Sequence, residues 1–224
     1  MDGVIFQQIP LFPVFLSLKV AGMATCASLL LGIFTARLLA RRHSRMSSLC
    51  DALCTLPMVL PPTVLGYYLI LLFGRKGILG SALQSLGLSL MFSWQGAVIA
   101  ATIVVFPLVY KSAKAAIEQV DVNFENAART LGLSELKIFF KITMPLAFRG
   151  ILAGAMLAFA RGMGEFGATL MIAGNIPGKT QTLALAIYDA FQAGNDALAA
   201  GLVLITSCIC VIILMSADLL LRKG

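Results

Sequence analysis

Five long apolar runs dominate the sequence, and each is long enough to cross a membrane as a helix. They cover about residues 14–39, 48–73, 95–116, 150–173 and 197–221. A helix needs about 20 mostly apolar residues to cross the hydrocarbon core of a bilayer. Inside that core no water is present to bond the backbone N–H and C=O groups, so they must bond to one another. An apolar run of this length satisfies them by forming a helix. The sequence therefore predicts an all-α integral membrane protein, with about five transmembrane helices in one domain over residues 1–224.

The composition supports a membrane protein over a soluble one. Hydrophobic residues make up 59% of the chain and charged residues 12%, whereas about a quarter would be charged in a soluble domain. A net charge of +7 would suggest nucleic acid as the partner of a soluble chain. Here the cations lie between the apolar runs, so we expect membrane lipid as a partner and no nucleic acid.

The distribution of lysine and arginine predicts the orientation. With the N-terminus outside, twelve of the 17 basic residues lie in inner segments and four in outer ones, while Arg161 lies within a run. Cytoplasmic loops carry the excess of basic residues in membrane proteins. We therefore expect an outside N-terminus, a cytoplasmic C-terminus and a cytoplasmic position for residues 118–145.

Two further apolar stretches are too short to cross. Residues 78–92 are interrupted by glycine and serine, and residues 183–191 are followed by a polar turn. We interpret both as surface or re-entrant pieces. The second belongs to an outer segment at about residues 174–195.

The second long run contains three prolines, Pro57, Pro61 and Pro62. Proline removes a backbone donor, and interrupted backbone at membrane depth is tolerated where protein buries it or where it lines a cavity. In transporters such breaks often mark the substrate route. Thr63 and Tyr67 follow the break and offer hydroxyl groups. The alternative is a simple kink in a packed helix.

The fourth run carries small residues at helical spacing. On a straight helix Gly154, Ala158 and Gly162 form a ridge that lets another backbone approach closely. Bulky residues such as Met163 fall on the opposite side of that helix. The three glycines at 162, 164 and 167 are the feature that would interrupt it.

The same run carries two charges. Arg161, Glu165 and Thr169 fall on the side of the small-residue ridge. A charged side chain at the centre of a span costs about 2.5–3.5 kcal/mol on insertion scales, so it needs a partner and often marks function. Two compatible interpretations stay open: Arg161 and Glu165 neutralise each other, or Arg161 meets an anion in transit while Glu165 holds it in place.

Residues 118–145 form the one long polar segment between apolar runs. Phe124, Ala127, Ala128 and Leu131 recur at helical spacing and predict an apolar stripe on a short helix. Asn123 is the expected N-cap of this helix, and Gly132 is its expected left-handed stop.

A second helix is expected directly afterwards. Ser134 is placed to cap it, Glu135 suits the positive end of its dipole, and Pro145 marks its expected end. The pair predicts a compact docking element for another protein. An ordinary helical cytoplasmic loop is the alternative.

This segment resembles the cytoplasmic coupling loop of ABC importer permeases, with their pattern Glu-Ala-Ala, three residues, Gly, nine residues, Ile-x-Leu-Pro. The sequence departs from the pattern in the glutamate slot, which Asn126 occupies, and in the leucine slot, which Met144 occupies. The resemblance implies docking to a separate ATP-hydrolysing subunit. The implied coupling residues are Glu125, Asn126, Ala127, Ala128, Gly132, Ile142 and Pro145.

Three other stretches resemble molybdate importer permeases, and less closely sulfate and thiosulfate permeases. They are FARGMGEFGAT at residues 159–169, GNIPGKTQTLALAIY at 174–188 and LPMVLPPTVLGYYLI at 56–70. The resemblance implies a type I ABC importer permease that carries an oxyanion, with molybdate as the expected substrate and tungstate, sulfate or thiosulfate as alternatives. Candidate pathway residues are Pro61, Pro62, Thr63, Tyr67, Arg161, Glu165 and Thr169.

The resemblance also implies partners and a location. We expect a homodimer, two copies of an ATP-binding subunit and a periplasmic or extracellular oxyanion-binding protein, in the cytoplasmic membrane of a bacterium or archaeon. No G-x-x-x-x-G-K-[ST] motif occurs in the chain, so ATP and magnesium are expected to be used by the partner subunit. We expect this chain to bind no cofactor or metal, since its five cysteines lie in or beside apolar runs.

Two other classes of protein would need different sequence features. An intramembrane enzyme would need paired carboxylates, a Ser/His pair or H-E-x-x-H at membrane depth, whereas the single histidine, His43, lies in a basic inner loop. A passive channel or membrane scaffold would need no ATPase partner. Uptake that requires ATP and a binding protein distinguishes a permease subunit from a channel.

Overall fold

The computed structural model describes residues 10–42, 44–75, 77–85, 87 and 89–222, so His43 lies outside the described residues. These residues form α-helices and one π-helical turn, with no strand among them, which confirms the all-α prediction. The helices are α1 Leu11–Leu39, α2 Arg45–Val59, α3 Pro62–Phe73, α4 Ile78–Ser85, α5 Trp94–Glu118, α6 Val122–Thr130, α7 Glu135–Ile138, α8 Met144–Met163, α9 Gly167–Ala173, α10 Leu183–Gln192 and α11 Asp196–Arg222.

Four helical stretches in the described part are long and apolar enough to cross a membrane. They are α1, α5, the continuous stretch Glu135–Met163 that joins α7 to α8, and Asp196–Ser216 within α11. The pair α2 and α3 makes a fifth if the two together form one bent span. The prediction of about five spans is confirmed in this sense. The short helices α4 and α10 have 8 and 10 residues, in agreement with the expectation that neither crosses.

Helix α5 is the centre of the bundle. Its residues Ala97, Ala100, Ala101 and Val105 have no exposed surface. Helices α1 and α8 pack along it, and their own contact residues are small as well. Small side chains let membrane helices approach closely, because association there is driven by packing rather than by the exclusion of water.

The second apolar run is two helices, not one kinked helix. α2 and α3 meet at 111°, and both Leu60 and Pro61 between them have extended backbone angles. A residue that precedes proline disfavours the helical conformation, and Pro61-Pro62 imposes this on two consecutive residues. Pro62 then begins α3, where its missing N–H costs nothing. The alternative of a simple kink is therefore wrong.

The fourth run is also broken, so the prediction that residues 150–173 form one helix is wrong. α8 ends at Met163, and α9 starts at Gly167. The small-residue ridge is correct: Gly154 lies so close to α5 that an added Cβ would be 2.3 Å from the Cβ of Ser112. The placement of Met163 on an outward face is wrong, because Met163 is 1% exposed.

Residues 118–145 contain the predicted helix, glycine turn and helix, with two corrections. Asp121, rather than Asn123, caps α6, and its carboxylate accepts a 2.9 Å hydrogen bond from the Asn123 backbone N–H. Gly132 has φ +77°, the left-handed conformation that favours glycine, as expected. Pro145 does not end the second helix, which continues to Met163.

The helix continues through Pro145 because a π-helical turn, Phe139–Thr143, precedes it. Proline in a regular α-helix clashes with the carbonyl four residues earlier. In the wider turn the Met144 N–H instead donates to the Phe139 carbonyl, five residues earlier. Such π-turns are frequent at functional sites. The second helix of the polar segment and α8 of the fourth run are thus one continuous helical stretch, Glu135–Met163.

Candidate functional site

A cavity lies at the bend between α2 and α3. Its volume is about 310 Å³, and Arg161 is the charged residue in its lining. The lining residues are Pro57, Met58, Leu60, Pro62, Leu65, Val104, Leu108 and Arg161. The structure therefore brings the proline break of the second run and the arginine of the fourth run to one site. An otherwise apolar cavity with a single cation favours an anionic ligand.

Glu165 forms an ion pair with Arg161. The Arg161 Nη1 lies 2.9 Å from the Glu165 Oε2, and the glutamate side chain is 2% exposed while the arginine is 41% exposed. The other carboxylate oxygen of Glu165 accepts a 3.0 Å hydrogen bond from the Ala168 N–H in the first turn of α9. The buried carboxylate is thus fixed at the break between α8 and α9, and its partner Arg161 lines the cavity.

The other candidate pathway residues lie elsewhere. Pro61 and Thr63 are exposed at the start of α3, and Tyr67 is 55% exposed on the same helix. Thr169 is 1% exposed and belongs to α9, so the common helical face expected for it with Arg161 and Glu165 does not exist. The pathway roles of all seven candidate residues stay predictions.

Two glycines bring α3 and α9 together, as expected for Gly66, which follows the proline break and allows close approach of another backbone. A Cβ added at Gly66 would lie 2.5 Å from the Cβ of Met171. One added at Gly167 would lie 2.7 Å from the Cβ of Pro62. The break of the second run is therefore packed directly against the break of the fourth. The signal in the sequence was the recurrence of glycine beside each break.

The polar segment presents apolar side chains that nothing in the described chain covers. Phe124, Leu131, Leu136 and Phe140 are 56%, 81%, 60% and 64% exposed. Among the candidate coupling residues, Asn126, Ala127, Gly132 and Pro145 are exposed, Ile142 is half-buried, and Ala128 is buried. Exposed apolar side chains on a polar, helical segment are typical of a surface that binds another protein.

Glu125 faces inward. Its carboxylate accepts from the Arg41 Nη1 at 2.5 Å and from the Thr143 hydroxyl at 2.8 Å. Arg41 also donates to the carbonyl oxygens of Ile117 and Val120 at the end of α5. Glu125 thus joins α6 to the ends of α1 and α5 and to the π-turn. Sequence reasoning grouped it with the docking surface because spacing alone does not show which way a residue faces.

Arg129 joins the two helices of the segment across Gly132. Its Nε lies 2.7 Å from the Glu135 Oε1, and its Nη1 donates to the Asn126 side-chain oxygen at 2.7 Å. The hydrogen bond with the Glu135 carboxylate raises the pKa of the Arg129 guanidinium. Asn126, in the glutamate slot of the family pattern, therefore orients a cation between α6 and α7.

A charged cluster that sequence reasoning missed joins α2 to α5. Asp51 accepts from the Tyr110 hydroxyl at 2.5 Å, from the Lys111 Nζ at 2.6 Å and from the Lys114 Nζ at 2.9 Å. The available signal was an aspartate inside the second apolar run, together with two lysines three residues apart at the inner end of the third.

The cysteines and possible metal ligands form no site in the described residues. All five cysteines are free thiols. The described part of the chain holds no group of three or more His, Cys, Asp or Glu side chains that could bind a metal ion.

Comparison with solved structures identifies the fold. The chain superposes on a chain of the inward-facing MetNI methionine ABC transporter with a TM-score of 0.75 and 16% identity, over 100% of this chain and 99% of that one. It superposes on a chain of a bacterial alginate ABC transporter with a TM-score of 0.74 and 13% identity, over 98% and 81%. The fold is that of type I ABC importer permeases.

Sequence comparison identifies the family. The chain is 45% identical over 211 residues to the molybdenum transport system permease protein ModB of Escherichia coli K12, covering 93% of this chain and 92% of that protein. It is 36% identical over 163 residues to the sulfate transport system permease protein CysW of Synechococcus elongatus, covering 73% and 57%. The protein-family model described as binding-protein-dependent transport system inner membrane component matches residues 28–223 of this chain. The chain therefore belongs to the family of binding-protein-dependent transport system inner membrane components.

Proposed function

We propose that this chain is the membrane-spanning subunit of an ATP-driven importer for molybdate. The observation that carries this proposal is its 45% identity to the E. coli molybdenum permease along 93% of the chain. The sulfate permease is less similar and matches a smaller share of the chain. Tungstate has the same charge and tetrahedral shape as molybdate, so it is an alternative substrate of the same site.

The cavity at the α2–α3 bend supports an oxyanion as the cargo. Arg161 presents a permanently charged, planar guanidinium with several N–H donors, which suits the oxygens of a tetrahedral anion. Glu165 keeps that guanidinium in place without filling the cavity. In this proposal Arg161 meets the anion during passage, and Glu165 is its positioning residue.

Energy comes from a partner. The chain itself hydrolyses nothing, and a separate ATP-binding subunit uses ATP and magnesium. That subunit docks on the exposed apolar side chains of α6 and of the helix that follows it. Two copies of this chain and two ATPase subunits form the complex, and an outer oxyanion-binding protein delivers the cargo. The complex lies in the cytoplasmic membrane of a bacterium or archaeon.

The proposed mechanism is alternating access. Closure of the ATPase subunits moves residues 118–145 of each copy, which we call the docking segment. Each docking segment in turn moves the continuous helix Glu135–Met163 that carries Arg161. The two permease copies then rock between outward and inward openings as rigid bodies. The route for the anion lies between the copies, beside the broken second span.

Reconstitution tests the proposal. The purified complex is placed in vesicles with ATP on the cytoplasmic side and the binding protein outside, and molybdate, tungstate and sulfate are compared. We expect molybdate to stimulate ATP hydrolysis and to accumulate only when ATP and binding protein are both present. Stimulation by sulfate alone would reassign the substrate. A leak of molybdate without ATP would support a passive channel, and no flux of any kind would support a scaffold.

A further inference from the structure

Helices α2 and α5 both extend from the Arg161 cavity toward the predicted cytoplasmic side. Met58 on α2 and Leu108 on α5 line the cavity. Lys111 lies three residues after Leu108, on the same side of α5 and about 4.5 Å further along its axis. Asp51 lies seven residues before Met58, two turns away on the same side of α2. Beyond the cavity, the same sides of the two helices are therefore in contact through Asp51 and Lys111.

The cluster around that contact carries an excess positive charge. Two lysines share the one carboxylate of Asp51, and the third donor is the neutral Tyr110 hydroxyl. The Lys111 side chain is 45% exposed, whereas that of Lys114 is 19% exposed. Lys114 and Tyr110 both bind the Oδ1 atom of Asp51, and Lys111 binds the Oδ2 atom alone. Lys111 is thus the member that an incoming anion can reach.

We propose that Lys111 is a second binding station for a tetrahedral oxyanion, between Arg161 and the cytoplasm. In the conformation described here the carboxylate of Asp51 occupies the place of the anion. The proposal rests on the proposed function, oxyanion import, and adds a site to it.

The arrangement lets the anion replace the Oδ2 atom of Asp51 on Lys111 without leaving Asp51 unpaired. When an oxyanion binds the Lys111 ammonium, Asp51 keeps its bonds to Lys114 and Tyr110 on Oδ1. When the anion departs, the Oδ2 atom contacts Lys111 again, and this competition prevents tight retention. The competition predicts opposite effects for the two charges: removal of the lysine weakens anion binding, and removal of the aspartate charge strengthens it. A cluster that only clamps α2 to α5 would be loosened by either change.

The test measures binding and uptake with four single variants and with the double variant Asp51→Asn, Lys111→Met. Lys111→Met removes the cation, Lys111→Arg keeps it, Asp51→Asn removes the competing charge, and Arg45→Met is a control on another side of α2. Radiolabelled molybdate is bound to the permease–ATPase complex in nanodiscs without nucleotide. We expect Asp51→Asn to bind about fivefold more tightly than wild type, the scale of one exposed ion pair. We expect Lys111→Met to abolish this gain in the double variant and to lower uptake, while Lys111→Arg and Arg45→Met behave as wild type.

Three results would overturn the proposal. The first is a change of molybdate affinity in the same direction for Asp51→Asn and Lys111→Met. The second is the absence of measurable molybdate binding to the Asp51→Asn variant. The third is binding that requires anionic lipid, which would assign Lys111 to a lipid phosphate. Failure of the proposed function has a different signature, since the wild-type complex would then show no ATP-dependent uptake of any oxyanion.

Discussion

At the scale of single residues, the structure separates two acidic side chains that have different tasks. Glu125 joins α6 to the neighbouring spans, and Glu165 joins Arg161 to the start of α9. Both are buried and both are paired. Removing one member of a buried pair leaves an uncompensated charge, which destabilises more than losing the pair as a whole. A test of function at Arg161 therefore needs a variant that keeps the charges balanced.

For Arg161, we predict that Arg161→Met lowers both the yield of assembled complex and uptake, because Glu165 is left buried without its partner. The double variant Arg161→Met, Glu165→Gln should assemble normally and still fail to import molybdate. Size-exclusion chromatography and vesicle uptake measure the two effects. Normal uptake by the double variant would leave Arg161 with a structural role alone.

For Glu125, we predict that Glu125→Ala destabilises the protein by about 1–3 kcal/mol, because the Thr143 hydroxyl and the Arg41 guanidinium lose a buried acceptor. Stimulation of ATP hydrolysis by the loaded binding protein should fall as well. Thermal unfolding and ATPase assays measure these effects. Asp196→Ala is the control, since that carboxylate is exposed at the start of α11, and equal losses in both variants would contradict the assigned role.

At the scale of elements, the sequence predicted where helices break better than how they break. Three prolines predicted the interruption of the second run. The two consecutive residues with extended backbone, Leu60 and Pro61, explain why the interruption is a 111° bend. Pro145 was expected to stop a helix and did not, because the π-turn before it removes the clash. Local rules identify the residue that disturbs a helix. Packing with the rest of the chain decides whether the helix ends, bends or widens.

The contacts among distant charges show the limit of sequence reasoning more directly. Arg161 and Glu165 are four residues apart, so their pairing was predictable from helical spacing. Asp51 and Lys111 are 60 residues apart, and no periodicity connects them. The same holds for Arg41 and Glu125, which are 84 apart. Pairs of this kind depend on which helices become neighbours, and a single sequence does not contain that information in local form.

For the docking segment, we predict that bulky changes at the glycine turn uncouple ATP hydrolysis from uptake. Gly132→Val should do so because a side chain at φ +77° is strained, although the surrounding space is open. Ala128→Leu should act through overpacking, since Ala128 is 3% exposed. Gly132→Asn is the control, because asparagine tolerates this conformation. Uptake per ATP hydrolysed is the measurement, and wild-type ratios in both bulky variants would contradict the docking role.

At the scale of the whole molecule, the orientation predicted from basic residues is open to a direct test. In a cysteine-free permease, Lys179→Cys should react with a membrane-impermeant thiol reagent added to intact cells. Arg42→Cys should react only after permeabilisation. Both positions are exposed in loops, so accessibility within the protein is matched. The reverse pattern would invert the topology and place the docking segment on the wrong side for ATP.

The π-turn has a mechanical consequence for the whole molecule. Because the helix does not stop at Pro145, Glu135 at the docking segment and Arg161 at the cavity lie on one rod of 29 residues. At about 1.5 Å per residue, these two residues are about 39 Å apart along its axis. Over this distance, a tilt of the helix by about 5° about one end displaces the other end by about 3 Å, roughly the length of a hydrogen bond. A tilt of about 5° at the docking segment is therefore large enough to make or break the proposed contact of Arg161 with an anion.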